Sequence, residues 1–306
     1  MSPDAPGTET PTTFSAVPLP GLVQKDSVPF PLYLCTADNT WVLYHGAKAP
    51  LDEGHLGRLQ AEGTINLFIR DQDRPQYFQR VEGSLDAILL DRAMPLERRA
   101  DVLHGVALRV ADELLKAVPD RATVQRATRV MMATSGLLLR ETQGFTALRR
   151  LLSGSQGLAA HSLTVSFLSM GLARILLSAD AGTLLQAGLA GLLHDIGKVG
   201  HEELDHDPEH TTRGAVYLKG LGLPAAVVEA ARSHHERHDG SGFPCGLRGD
   251  AIPELARLVG VVDTFDKVYT TQRPKVGVFD ALRILAQAYR GCFDDRTAKG
   301  LVALFR

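Results

Sequence analysis

Residues 187–200 read AGLAGLLHDIGKVG, an apolar helical run that meets two ionisable residues, His194 and Asp195, just before Gly197. A helix this apolar is buried over most of its surface, and it carries the His-Asp pair toward the core. A buried carboxylate is costly unless it is paired, hydrogen-bonded or bound to a metal, and a neutral imidazole nitrogen beside it suits the same cation. Two readings of the pair stand: metal ligands, or an Asp195 that turns the chain beside a satisfied core histidine.

On both sides of this stretch the pattern stays helical, from Leu96 to the end. LERRADVLHGVALRVADELLKAV, ATVQRATRVMMATSGLLLRETQ, HSLTVSFLSMGLARILL, PAAVVEAARSHHE, LARLVGVVDTFDKVYT and VFDALRILAQAYR place apolar residues at three- and four-residue steps, and Pro119 interrupts the series. Before Leu96 the period shortens. PLYLC and TWVLYH read as strands around Ala37-Asp38-Asn39, LDEGHLGRLQAEG as a helix and INLFIR as another strand. Residues 1–29, rich in Pro, Thr, Ser and Asp, read as a disordered tail. The predicted organisation is therefore a tail over 1–29, a small α/β domain over 30–95, a helical linker over 96–150 and a helical metal-binding domain over 151–306. The fold class is mainly α, an all-α bundle preceded by a small α/β domain.

The 306 residues suffice for two domains with filled cores, and 44% hydrophobic with 22% charged residues excludes a largely disordered chain. With 33 Lys+Arg against 35 Asp+Glu the formal net charge is -2, which speaks against a nucleic-acid polymer or an anionic membrane as partner. Cys35, Cys245 and Cys292 are far apart and form no C-x-x-C pair, so reduced thiols are expected. The start lacks the basic and apolar regions of a signal peptide, and no uninterrupted apolar stretch is long enough for a bilayer crossing. A cytoplasmic chain without membrane insertion is expected.

Histidine carries the chemistry. Of 11 histidines, His161, His194, His201, His206, His210, His234, His235 and His238 fall in the second half. His234-His235-Glu236 ends an apolar helix and runs into Asp239-Gly240-Ser241-Gly242-Phe243-Pro244, a tight loop. Adjacent helical side chains point about 100° apart, so two such rings converge on one ion only near a helix end; otherwise they are exposed surface histidines. Asp263 interrupts the apolar run LARLVGVVDTFDKV, where a core residue would otherwise stand, and Asp266 reads as a hydrogen-bonding structural acid.

Taken in order, these motifs resemble the HD-GYP domains, a metal-dependent branch of the HD phosphohydrolase superfamily. The resemblance runs from about Gly157 to Arg306 and rests on HDIGK (His194–Lys198), HTTRG (His210–Gly214), HHERHDGSGFPCGL (His234–Leu247), IPELARLVGVVDTFD (Ile252–Asp266), QRP (Gln272–Pro274) and GCFD (Gly291–Asp294). It implies two metal ions, one held by His161, His194, Asp195 and Asp263, the other by Asp195, His210, His234 and His235, with Asp195 bridging. Nitrogen and oxygen donors without thiolate suit Fe, Mn, Zn or Ni and disfavour a structural zinc–thiolate site; the resemblance implies iron, with manganese as the alternative. It further implies a cyclic di-GMP phosphodiesterase giving linear pGpG and then GMP through a shared, metal-activated hydroxide, with Asp195 and Lys198 catalytic and Lys198 and Arg273 on the substrate phosphate. The competing expectations are a catalytically weak signalling module that binds cyclic dinucleotide or a GGDEF-domain partner, and a hydrolase of another phosphoester; a homodimer is also expected.

Three departures bear on activity. Phe243 replaces the tyrosine that names the family. Gly157 stands four residues before His161, where members with three metals resemble one another in carrying a glutamate, so two metals are expected. His210 follows His194 by only 16 positions, a shorter segment than the family's usual one, and it is acidic (Glu202, Glu203, Asp205, Asp207, Glu209), which predicts an open cleft under a solubilising loop.

Overall fold

The computed structural model describes residues 13–18, 27–49, 54, 58–59, 64, 66–151, 157–177, 180–201, 207–272 and 276–306. The chain divides into two units, Met1–Val102 and Leu103–Arg306, each with its own buried apolar residues. The boundary falls inside a continuous helix.

In the first unit, β1 (Phe14–Pro18), β2 (Leu32–Cys35), β3 (Trp41–His45) and β4 (Asn66–Arg70) form an antiparallel sheet in the order β1-β4-β2-β3. Along β4 alternate residues Leu67 and Ile69 are fully buried, the period of two expected of a sheet with one covered face. β1 corrects the expected tail, because Phe14 to Pro18 pair in register with Arg70 back to Asn66. A five-residue segment gains strand structure from a partner about 50 residues away, which local composition does not reveal. Trp41 is 36% exposed, since β3 is the sheet edge; its ring stacks on Phe14 at 4.5 Å. The helix expected over LDEGHLGRLQAEG lies for the most part outside the described residues. Helices α1 (Arg74–Gly83) and α2 (Leu85–Leu90) follow, parted at Gly83 and Ser84, and bury Tyr77, Val81, Leu85, Ile88 and Leu89.

Helix α3 (Leu96–Lys116) spans the unit boundary. The second unit continues with α4 (Arg121–Arg140), capped by the Asp120 carboxylate on Thr123 N–H, and α5 (Gly144–Arg149). Both helices fall within the segment expected as a linker. α4 packs on the helix that leads to His194, and its buried Val124, Val130, Met131, Leu137 and Leu138 are core of this unit. Then come α6 (Leu158–Leu176), α7 (Ala181–Leu193), a 3-10 turn (Ile196–Lys198), α8 (His210–Gly220), α9 (Ala225–Ser233), α10 (Glu254–Gln272), α11 (Val278–Ala288) and α12 (Asp295–Ala303). α6 is the hub, in contact with α5, α7, α10 and α12. It is long and apolar enough to cross a membrane by length and composition, yet 72% of its apolar window is buried among these neighbours. Overall the chain is mainly helical with a small sheet near its start, as the periodicities predict.

Candidate metal centre

Five helices meet at one place. α7 delivers His194 as its C-cap and Asp195 next to it, α9 delivers His234 as its C-cap with His235 following, α8 begins at His210, and α6 and α10 contribute His161 and Asp263 from their lengths. His194, Asp195, His210, His234 and Asp263 are all buried.

Backbone chemistry fixes the rings. The last carbonyls of a helix have no partner within it, and His194 Nδ1–H donates to Gly191 O and His234 Nδ1–H to Ala231 O, each at 2.8 Å. His210 Nδ1–H donates in the same way to Asp207 O, again three residues earlier. His161 differs: its Nδ1–H donates to the carboxylate of Asp266 at 2.7 Å. With Nδ1 engaged in all four, the Nε2 lone pairs face inward, the arrangement of a histidine prepared for a cation.

Those inward atoms surround the carboxylates. Asp195 Oδ1 lies 3.2 Å from His210 Nε2 and 3.5 Å from His234 Nε2, whereas Oδ2 lies 3.3 Å from His194 Nε2 and 4.0 Å from His161 Nε2. Asp263 Oδ1 is 3.1 Å from His161 Nε2 and 3.5 Å from His194 Nε2. Two groups result, His161-His194-Asp195-Asp263 and Asp195-His210-His234-His235, each with its donor atoms within 4.8 Å of one another. Asp195 belongs to both and turns one oxygen to each. Four buried atoms make no hydrogen bond of regular geometry: His161 Nε2, His194 Nε2, Asp195 Oδ1 and Asp263 Oδ1, the last with Lys267 Nζ 2.8 Å away. Buried polar atoms are rarely left so, and four of them converging, all nitrogen or carboxylate oxygen, fit divalent cations.

The electrostatics differ between the groups. Burial opposes charge on His161, but the Asp263 and Asp266 carboxylates overcome it and raise the ring to about 9. His194 is raised in the same sense by Asp195 and Asp263 against its burial. Asp195 and Asp263 are held well below the usual carboxylate range by the surrounding rings, although burial alone would raise them. In the other group burial wins: His234 falls to about 4 and His235 is lowered further. Without metal, His161 is therefore protonated at neutral pH, and its favourable pairing stabilises the fold fully below its ordinary 6.5 and is lost as pH rises through about 9. Metal at the first group must displace that proton, so its affinity should rise roughly tenfold per pH unit per proton as pH approaches 9. Calorimetric metal titration in buffers of different ionisation enthalpy should show net proton release at pH 7; no buffer dependence would contradict this proton balance.

Lys198 Nζ lies 2.5 Å from Asp195 Oδ2 with its side chain 34% exposed, so it reaches both the centre and solvent. Arg273 and residues 202–206 of the acidic segment lie outside the described residues. Phe243, 37% exposed, places its ring 4.7 Å from that of His235. At Gly157 the backbone φ is 102°, a left-handed value that disfavours a glutamate side chain there.

Three contributors carry little signal in the sequence. Asp266 reads as a structural acid, but its partner is a histidine 105 positions away. Glu236 is buried and accepts from Cys245 N–H at 2.7 Å and Leu247 N–H at 2.8 Å, tying the glycine loop to the His234-His235 turn. Lys267, one turn beyond Asp263, reads as an ordinary helical surface charge, yet its Nζ lies 2.8 Å from Asp263 Oδ1. Burial would lower its basicity, but Asp263 and Asp195 raise it instead.

Residues 148–296 match the family model for an HD domain. A cyclic di-GMP phosphodiesterase of Pseudomonas aeruginosa is 36% identical over 185 residues, 55% of this chain and 44% of that protein. A cyclic di-GMP phosphodiesterase response regulator of Xanthomonas campestris pv. campestris is 28% identical over 247 residues, 75% of this chain and 64% of that protein. The chain thus spans about half to two thirds of the length of these relatives. Among solved structures, an HDG"Y"P protein from Bdellovibrio bacteriovorus shares the fold with a TM-score of 0.67 at 19% identity, over 96% of this chain and 99% of that one.

Proposed function

We propose that this chain, whose residues 148–296 match the HD domain family and which resembles a divergent HD-GYP form with Phe243 in place of the tyrosine, is a metal-dependent phosphodiesterase opening cyclic di-GMP to linear pGpG, with GMP as a further product. The observation that carries the proposal is Asp195, whose two oxygens face two separate groups of donors. Two ions are proposed, iron in both positions with manganese as the alternative. His161, His194, Asp195 and Asp263 would hold one, and Asp195, His210, His234 and His235 the other.

Bound there, such ions would activate a water and neutralise charge on the phosphate. The chain's own residues do the rest. Asp195 fixes the two groups against each other, and the Nδ1 hydrogen bonds hold the four rings with Nε2 turned toward the donor groups. Lys198 brings an ammonium to the edge of Asp195, where it stabilises negative charge that grows on the phosphate oxygens during attack. Arg273 is proposed as a second phosphate contact. Phe243 has lost a phenol hydroxyl and keeps an apolar ring beside His235.

The test is elemental analysis of anaerobically purified protein, coupled to chromatography of products after incubation with cyclic di-GMP. Two Fe or Mn per chain with pGpG formed is the expected result. Two metals without product, or little metal in a folded sample, would overturn the reading. Lys198→Met should lower kcat about 100-fold, in the range seen for loss of a group that stabilises developing charge, and leave metal content unchanged; an unaltered kcat would remove Lys198 from the chemistry.

A further inference from the structure

Lys267 sets its Nζ 2.8 Å from Oδ1 and 2.9 Å from Oδ2 of Asp263, a pairing of residues four apart on α10. Pairs of this spacing are common on helix surfaces, where each adds only a few tenths of a kcal/mol. This pair is unlike them, because Asp263 is 1% exposed while the Lys267 side chain is 43% exposed. The ammonium therefore reaches from solvent onto a carboxylate at the floor of the centre. Among the described residues, Lys198 and Lys267 alone of the lysines and arginines lie within ion-pair distance of Asp195 or Asp263, one on each carboxylate and each from a different element.

A fixed cation against a metal-binding carboxylate works against metal, since it competes for the same lone pairs and repels the incoming ion. What offsets that cost is an anion bound at the same spot. A compact ammonium with three donors suits a phosphate oxygen, and a cyclic dinucleotide brings two phosphodiester charges to a centre flanked by two lysines.

Resting on the phosphodiesterase reading above, we propose that Lys267 is a substrate-binding residue, holding a phosphodiester oxygen on the Asp263 side of the centre as Lys198 does on the Asp195 side. When substrate enters, its ammonium exchanges a carboxylate contact for a phosphate contact, so its weight falls on binding rather than on turnover.

The experiment compares wild type with Lys267→Met and Lys267→Arg, all metal-loaded. Affinity for a phosphorothioate analogue of cyclic di-GMP is measured by calorimetry, metal content by elemental analysis, and kcat and KM with cyclic di-GMP. Lys267→Met is expected to weaken analogue binding at least tenfold and to raise KM by a similar factor. It should change kcat less than threefold and keep the wild-type metal content, while Lys267→Arg recovers most of the affinity. Unchanged analogue affinity in Lys267→Met would overturn the proposal. Loss of metal from that variant would also overturn it, making Lys267 a support for Asp263 instead. A wild-type protein that neither binds nor cleaves cyclic dinucleotide would instead remove the phosphodiesterase reading, an outcome visible before any variant is examined.

Discussion

Asp195→Ala is expected to lower kcat for cyclic di-GMP by at least about 10³-fold, with most of the bound metal lost, the scale for removing a group on which the whole catalytic assembly depends. Asp195 is the one residue in both donor groups. Deleting its carboxylate takes an oxygen from each group at once and leaves the five imidazoles of the two groups with Asp263 as the one remaining carboxylate among the donors. Without that carboxylate His194 loses its main electrostatic support, and burial then drives its ring toward the neutral form. The folded state should persist, because the neighbouring rings keep their backbone hydrogen bonds. Circular dichroism alongside metal analysis separates the two effects. A variant that keeps two metals and full turnover would show that Asp195 bridges nothing. His235→Ala should be milder, since it removes a ligand from the second group alone.

Gly197→Ala, the next largest expected effect, acts on packing. A Cβ at residue 197 would lie 2.0 Å from the His210 carbonyl oxygen and 2.7 Å from the Gly214 amide nitrogen, both backbone atoms of α8 that cannot swing aside. The Arg213 guanidinium also donates to Gly197 O at 2.8 Å, clamping the same crossing. Overpacking of this kind costs about 1–3 kcal/mol. For a unit of this size, a loss near 3 kcal/mol lowers the melting temperature by roughly 6–12 °C. α8 must shift away from the turn, and it carries His210, so metal affinity at the second group should fall more than at the first. Equal loss at both groups, or an unchanged melting temperature, would contradict the close crossing.

How far the centre can be read from the chain depends on where each residue finds its partner. His194-Asp195, His210 and His234-His235 are legible because they stand at helix ends, marked by apolar periodicity and by the glycines that follow. Asp263 is legible as a carboxylate in an apolar run. Asp266, Glu236 and Lys267 are not, because their significance lies in what they touch, and an acid or a lysine on a helix reads the same with or without a buried partner. The same reasoning covers β1, whose strand character is conferred by β4, and α4, which looks like a connector until its apolar stripe meets α7. Helix existence follows from local periodicity; unit membership follows from packing, which one segment cannot state alone.

The four imidazole anchors also differ in how they respond to mutation. Three rings are tethered to main-chain oxygens, and no substitution at the tethering position alters the acceptor. His161 is tethered to a side chain, so its donor strength can be adjusted by a single codon at Asp266. Asp266 is thus the tuning screw of the first group: a weaker acceptor there would make His161 a poorer electron donor toward a cation held by that group. The second position, whose His210 and His234 are set by backbone alone, keeps its character while the first one drifts.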